Sequence, residues 1–433
     1  MYNHSAVSGN ILGLDLGTSG IRAVVVSPAG KILHENQASL PFLDTPKSGY
    51  SEQSVSIWHA TLDRLLTKLS DQADLSRVKH IIADATSSTL FITDAQRQPL
   101  TPALMYNDSR AVAEAIRISE HAPKDTAAYG ANCSLAKAIW LEHHLRQTGH
   151  SIDQLHLCYQ IDWLNQFFTQ KITATDANNA LKMGYDVVKG CWPDWVASLT
   201  GFELPNVVLP GQILGKISKQ VANQYGFNHQ TKIHAGTTDS IAAFLASGAS
   251  NLGDAVTSLG STLSLKLLSD TPIYSRQKGI YSHILGDKWL IGGASNAGGA
   301  VLLNYFSLPA IQTLLSRIEI FYNTGLNYYP LNTQGERFPI SDPDFQPKLT
   351  PRPDDDAIFL QGMLEGLVQI ELLGYQSLIE LGAGELQQLY AAGGGTKNQV
   401  WMALREKAFP HKIKKAARTD AAFGVTQLLL NPF

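Results

Sequence analysis

The chain has 433 residues, 44% of them hydrophobic, and a formal net charge of −3; at about 150 residues per domain it is too long for one core and predicts two or three. Lysine and arginine are scattered, which excludes the basic stripe of a nucleic-acid surface, and no apolar run reads as long enough to span a membrane. Three widely spaced cysteines, Cys133, Cys158 and Cys191, form no CxxC pair, and Met1 to Gly9 has neither signal nor transit character, so thiols serving as packing groups in a reducing, cytoplasmic setting are expected.

Ile11, Leu12, Leu14 and Leu16 make a nearly continuous apolar run suited to a central strand covered on both faces, and Ala23 to Val26 supply a second strand. Between them lies Gly17-Thr18-Ser19-Gly20, where the glycines let the backbone approach a ligand and the amides and hydroxyls can converge on a phosphate. Asp15 stands at the entrance of that turn and would repel phosphate unless Mg²⁺ bridges the two. The plain alternative is a glycine hairpin with a solvated aspartate. Lys31 to Gln37 completes a β-meander, Pro41 to Gln53 reads as a turn-rich loop, and Val55 to Leu69 has helical spacing.

Val78 to Ala83 reads as a strand ending in Asp84-Ala-Thr-Ser87-Ser-Thr89. Leu90 to Thr93 reads as another, followed by a turn and Leu104-Met-Tyr-Asn-Asp108-Ser-Arg110. Polar clusters at strand ends are where α/β folds place ligand groups, although turn capping accounts for Asp84 and Ser87 equally well. Ala111 to Gln170 is helical in pattern, with Lys137 and Trp140 on an amphipathic segment and His143 and His144 facing apart, as surface residues do. Thr175 to Asp186 is a polar loop, and Cys191 to Trp195 opens a further helix.

Leu209 to Ile217 reads as a linker. Lys232-Ile-His-Ala-Gly236-Thr-Thr-Asp239-Ser then opens an apolar helix through Leu245, with Asp239 after a glycine turn. This predicts a boundary near 232, hence domains 1–232 and 233–433. At a helix N-terminus the dipole keeps Asp239 ionised and able to accept a hydrogen bond; a simple N-cap is an equal alternative.

An echo of the opening follows. Asp254 to Leu268 repeats strand, Leu-Gly, two hydroxyl residues, strand, so that Leu259-Gly260-Ser261-Thr262 answers Leu16-Gly17-Thr18-Ser19. Two such units predict two domains of like fold facing each other across a cleft. Gly292 to Gly299 and Ile358 to Leu367 introduce helices. Leu389-Tyr-Ala-Ala-Gly393-Gly394-Gly395-Thr-Lys-Asn398 reads as strand, glycine loop and helix start. Three glycines leave a flat backbone surface on which an adenine or ribose could lie.

These motifs, in this order and spacing, resemble the FGGY family of carbohydrate kinases, of the ribulokinase-like or pentulose-kinase kind. Leu14 to Ser19 is similar to the family's first phosphate motif, Ser258 to Thr262 to its second, and Ala392 to Asn398 to its adenosine motif. Gly236 to Ser240 resembles the segment carrying the catalytic aspartate, and Asp108-Ser-Arg110 the D-x-R motif on the sugar side. Asp84-Ala-Thr-Ser-Ser resembles the ribulose-type motif rather than the SGQMHG of typical xylulokinases. Lys137 with Trp140, and Asn179 to Asp186, fit further family blocks. The chain is short for the family, and Trp401-Met-Ala-Leu-Arg-Glu-Lys departs from it by lacking the usual Gln and Ala-Asp.

The resemblance implies an α/β fold of two actin/hexokinase-like (ribonuclease H-like) domains, and an ATP- and Mg²⁺-dependent transfer of the γ-phosphate to a sugar hydroxyl. It implies Asp239 as catalytic base; Asp84, Ser87, Asp108 and Arg110 with Asp239 at the sugar; and Asp15 at the metal. Gly17, Thr18, Ser19, Gly260, Ser261 and Thr262 would hold phosphates, and Gly393, Gly394, Gly395 and Asn398 the adenosine. The expected substrate is a ketopentose, D-ribulose first, with D-xylulose or another polyol as the alternative. A sugar-independent actin-like ATPase and a catalytically weak sugar sensor remain the readings from other classes. The expected partners are a small sugar, no nucleic acid, no membrane, and at most a second copy in a homodimer.

Overall fold

The computed structural model describes residues 8–41 and 47–431, so most of the opening segment and the middle of the Pro41–Gln53 loop lie outside the described residues. The chain divides into two compact units. One runs to Ala246 and adds Ile284–Gly286 and the chain from Asp420 on, while the other takes Ser247–His283 and Asp287–Thr419.

The first unit is built on a six-stranded sheet. Its strands are β1 (Asn10–Leu16), β2 (Gly20–Val26), β3 (Ile32–Ser39), β4 (Val78–Ala85), β5 (Ile213–Lys216) and β6 (Lys232–Thr238), in the order β5-β6-β4-β1-β2-β3. β1 to β3 form the expected antiparallel meander. β4 pairs in parallel with β1, and β6 in parallel with β4. Leu12, Leu14 and Leu16 are fully buried, as a central strand covered on both faces requires. Helix α1 (Val55–Gln72) follows the meander and buries Trp58, Leu62, Leu65, Leu66 and Leu69. A small second sheet carries Leu90–Thr93, Ala103–Leu104 and His156–Tyr159, and helix α2 (Ser134–Gln147) contributes Leu135, Ala138, Ile139 and Leu145 to the same core.

The expected boundary at 232 is displaced. Lys232–Thr238, expected as the glycine-turn opening of a helix, is strand β6, and the following helix α3 (Asp239–Ala246) stays with the first unit. Gly236 is the reason the pattern misleads: it lies inside the strand, where a Cβ would sit 1.6 Å from the Ala83 carbonyl oxygen. Only glycine fits so close an approach between neighbouring strands. Residues 213–216, read as linker, are edge strand β5.

The second unit repeats the plan. Its strands are β7 (Asp254–Leu259), β8 (Leu263–Ser269), β9 (Tyr281–Leu285), β10 (Lys288–Ala294), β11 (Gln388–Ala392) and β12 (Ile413–Lys415), ordered β9-β10-β8-β7-β11-β12. β7 and β8 are antiparallel and β11 joins β7 in parallel, as β1, β2 and β4 do in the first unit. The echo seen in sequence is therefore an echo of topology.

Helix α4 (Asp356–Glu380) is the core helix of this unit, burying Phe359, Leu360, Met363, Leu364, Leu367 and Leu378. By length and composition alone it could cross a membrane, a run overlooked in the sequence, yet 72% of its apolar window is buried inside the protein. A helix apolar nearly all round belongs in a core when its surroundings cover it. Helix α5 (Gln399–Ala408) packs beside it, and helix α6 (Ala421–Leu430) ends the described chain in the first unit.

Candidate active site

The parallel register of β1, β4 and β6 decides which side chains meet in the first unit. Asp15 lies opposite Asp84, Asp84 lies opposite Thr237, and Asp239 begins α3 directly after β6. Three aspartates thus gather at the carboxyl ends of three neighbouring parallel strands, the position where open α/β sheets hold ligands. Asp84 is fully buried, Asp15 nearly so, and Asp239 half-buried.

Their proton affinities are raised for physical reasons. Burial, and then the charge of Asp239, lift Asp15 to about 6, with Arg22 pulling the other way from 3.6 Å. Burial and the charges of Asp15 and Asp239 hold Asp84 well above the usual carboxylate range. Asp84 and Asp15 share a side-chain hydrogen bond that raises Asp84 and lowers Asp15, and no other donor reaches the Asp84 carboxyl among the described residues. A neutral Asp84 is the form that tolerates such a place beside another carboxyl. Asp420 adds a weaker like charge to Asp15 while capping α6 through the Phe423 amide at 3.1 Å. Nothing local in the sequence pointed to it beyond a helix cap.

The first glycine turn closes with Gly17 N–H donating to the Gly20 carbonyl at 3.0 Å. Gln53 Nε2 holds the Thr18 carbonyl at 2.7 Å, and Thr18 and Ser19 are left exposed. Among the described residues no three His, Cys, Asp or Glu side chains are grouped to hold a metal ion by themselves. The donor set nevertheless suits Mg²⁺, a hard cation that takes one or two carboxylates and completes its shell with water and phosphate oxygens. Asp15, beside the exposed turn at Gly17 to Ser19, is the carboxylate that would serve it.

On the sugar side the expected residues separate into two kinds. Ser87 is half-buried at the apex of the turn from β4 to Leu90–Thr93, whereas Asp84 and Asp108 present no surface to solvent. Asp108 is held by protein groups: it accepts from Ser51 N–H at 2.7 Å and from Arg110 Nε and Nη2 at 3.0 and 2.7 Å. Arg110 also reaches Glu52 at 2.6 Å and stacks on Tyr50 and Trp140, leaving its side chain 3% exposed. The sequence named Asp108 and Arg110 as sugar ligands and missed that they occupy each other.

In the second unit Gly260, Ser261 and Thr262 form the turn between β7 and β8, the two hydroxyl residues exposed. Gly393, at φ 84, packs so that a Cβ would lie 2.7 Å from the Leu259 carbonyl oxygen; at Gly298 it would lie 2.4 Å from that of Ser261. Glycine loops therefore converge on one strand end. Gly298 and Gly299, which sequence reading passed over as a helix lead-in, belong to this cluster, with Gly299 N–H donating to the Gly260 carbonyl at 2.9 Å. Asn398 caps α5 by accepting from Trp401 N–H at 3.0 Å. Cavities of about 350 Å³ at Glu365 and Lys407 and about 420 Å³ at His59 and Arg97 include none of these residues.

The sequence profile of the FGGY family of carbohydrate kinases, N-terminal domain, matches residues 10–246, a span that contains the aspartate cluster and the first glycine turn. The chain belongs to the FGGY family. It is an ATP-dependent carbohydrate kinase. A gluconokinase of Bacillus subtilis is 23% identical over 93% of this kinase and 83% of its own length, and a xylulose kinase of Escherichia coli is 23% identical over 91% and 83%. The crystal structure of xylulose kinase from Rhodospirillum rubrum superposes with a TM-score of 0.85 at 21% identity, covering 96% of this kinase and 88% of that chain. That of Plasmodium falciparum glycerol kinase with ADP gives 0.82 at 17%, covering 97% and 89%. The fold of this kinase is accordingly the two-domain actin/hexokinase-like one.

Proposed function

We propose that the kinase transfers the γ-phosphate of ATP to the terminal hydroxyl of a ketopentose, D-ribulose ahead of D-xylulose. The reading rests most on the placement of Asp239. It opens α3 at the end of a strand of the aspartate cluster and keeps access to solvent, as a base that must meet a substrate hydroxyl requires. A sugar hydroxyl is a weak nucleophile at neutral pH, and Asp239 accepts its proton as the new O–P bond forms. Gly17, Thr18 and Ser19 hold transferring phosphate oxygens. Gly260, Ser261 and Thr262 hold the remaining phosphates, and Gly393, Gly394, Gly395 and Asn398 take the adenosine, in the second unit. Asp15 would hold Mg²⁺ through water, and the ion would supply positive charge against the phosphate oxygens.

Asp15→Ala is expected to raise the Mg²⁺ concentration needed for half-maximal turnover by about 10- to 100-fold, the usual cost of an outer-sphere partner. A Mg²⁺ titration of initial rate checks this, and an unchanged midpoint removes Asp15 from the metal site.

The sugar preference rests on Asp84-Ala-Thr-Ser87-Ser, short hydroxyl and carboxyl groups where a His-bearing segment would stand in a xylulokinase-like chain. With Asp84 and Asp108 buried, Ser87 is the group of that set best exposed to bond a substrate hydroxyl directly. The other two support the wall behind it. A site that pairs polar groups with substrate hydroxyls discriminates against an analogue that leaves them unpaired. kcat/KM is therefore expected to fall in the order D-ribulose, D-xylulose, then ribitol and glycerol, with Ser87→Ala lowering the D-ribulose value by about tenfold. The relatives named xylulose kinase favour D-xylulose as the second reading. A higher kcat/KM for D-xylulose than for D-ribulose would establish it.

A further inference from the structure

Lys137 is a fully buried charged group that the reaction described above leaves without a task. It lies on the first turn of α2 and is 0% exposed. Its Nζ donates to the Ser88 carbonyl at 2.5 Å and to the Met105 carbonyl at 2.9 Å. A buried lysine normally answers a carboxylate, yet among the described residues no carboxylate lies within ion-pair distance of it. Two backbone carbonyls from different loops hold it instead.

Those loops carry the sugar-side residues. Ser88 follows Ser87 and sits at φ 64, a left-handed conformation uncommon for a side chain other than glycine, asparagine or aspartate. Gln160 pins the other side of that turn, its Oε1 accepting from Thr86 N–H at 3.0 Å and from the Thr86 hydroxyl at 2.6 Å. The Met105 carbonyl accepts from Asp108 N–H at 3.0 Å as well as from Lys137, so it fixes the start of the Asp108–Arg110 turn. A single ammonium thus ties the turn bearing Ser87 to the turn bearing Asp108.

We infer that Lys137 is a positioning residue for the sugar site, setting the spacing between the Ser87 turn and the Asp108–Arg110 turn without itself touching the sugar. The inference rests on the reading that this end of the first unit receives the sugar. Burial depresses the Lys137 amine to about 7, and the clamp survives that shift, because a neutral amine keeps two N–H donors for its two acceptors. A strained Ser88 is stable only where its surroundings over-determine it, and Lys137 with Gln160 supply that constraint. Misplacing a substrate-holding group by about 1 Å costs on the order of 100-fold in rate or affinity.

The test is Lys137→Met, which keeps the length and volume of the stem and removes the donors, with Lys137→Gln as a second, still polar variant. Initial rates against sugar and against ATP separate the effects. The expected result is a rise of about 10- to 100-fold in KM for the sugar, with KM for ATP and ADP affinity within about twofold of wild type. An unchanged sugar KM in a folded variant overturns the inference, as does a parallel loss of sugar and nucleotide affinity. So does loss of cooperative unfolding in both variants, because a clamp local to two turns leaves the rest of the chain folded. Ser87→Ala distinguishes the two possible failures. If it raises the sugar KM while Lys137→Met does not, the clamp is wrong; if neither does, the sugar site lies elsewhere.

Discussion

Asp239→Asn is expected to lower kcat for sugar phosphorylation by about 10³- to 10⁴-fold while leaving ADP affinity and the sugar KM close to wild type. Amide and carboxylate are nearly isosteric, so the N-terminal turn of α3, where Ser240 N–H donates to Asp239 Oδ1 at 2.7 Å, keeps an acceptor in place. What disappears is a group able to take the hydroxyl proton, and general-base contributions of about 10²- to 10⁴-fold are typical. The substitution also removes a like charge that raises Asp15, so metal and nucleotide binding have no electrostatic reason to weaken. A coupled ADP-release assay with and without sugar, beside calorimetric titration with ADP, separates the two effects. Retention of a tenth or more of wild-type turnover places the base elsewhere. Loss of nucleotide binding in step with turnover gives Asp239 a structural task.

Local chemistry made the two glycine turns legible in the sequence. In Leu14 to Gly20 and Ser258 to Thr262, a strand, a glycine and paired hydroxyl residues are consecutive, so no tertiary knowledge is needed to place them. The helix starting at Asp239 was legible too, but the strand before it was not. Gly236 has the signature of a turn, and only the closeness of Ala83 shows that it serves a strand instead.

Relations set by register were out of reach. That Asp84 faces Asp15 follows from the parallel pairing of β4 with β1, and no spacing rule along the chain gives it. The same holds for Arg110, whose partners Glu52, Tyr50 and Trp140 come from two other segments. A D-x-R motif identifies the residues and leaves open whether they face the ligand or each other. Here Arg110 bonds both Asp108 and Glu52, a pairing that the motif alone does not reveal.

Glu371→Ala is expected to destabilise the second unit by about 3–5 kcal/mol, the cost of leaving one partner of a buried ion pair uncompensated. Glu371 on α4 and Arg405 on α5 are both fully buried and joined twice, Nη2 to Oε1 at 2.6 Å and Nε to Oε2 at 2.7 Å. Thr257 on β7 donates to Glu371 Oε1 at 2.5 Å and shares a 2.8 Å bond with the Tyr375 hydroxyl. Arg405 lies in the segment where the sequence departs from the family pattern after its adenosine motif. Its partner acid lies on α4, which no reading of Trp401 to Lys407 alone could supply. Thr257 stands just before the turn at Gly260 and Asn398 caps α5, so the pair braces the segments proposed to hold phosphate and adenosine. Urea unfolding of the whole chain is expected to show an early transition for the second unit in Glu371→Ala, with KM for ATP raised before KM for sugar. Replacing both partners, Glu371→Met with Arg405→Met, removes the stranded charge and should recover most of the lost stability, since apolar substitutes for a buried pair are often neutral or better. If the double variant is no more stable than Glu371→Ala, the loss comes from the Thr257 and Tyr375 bonds and not from the guanidinium.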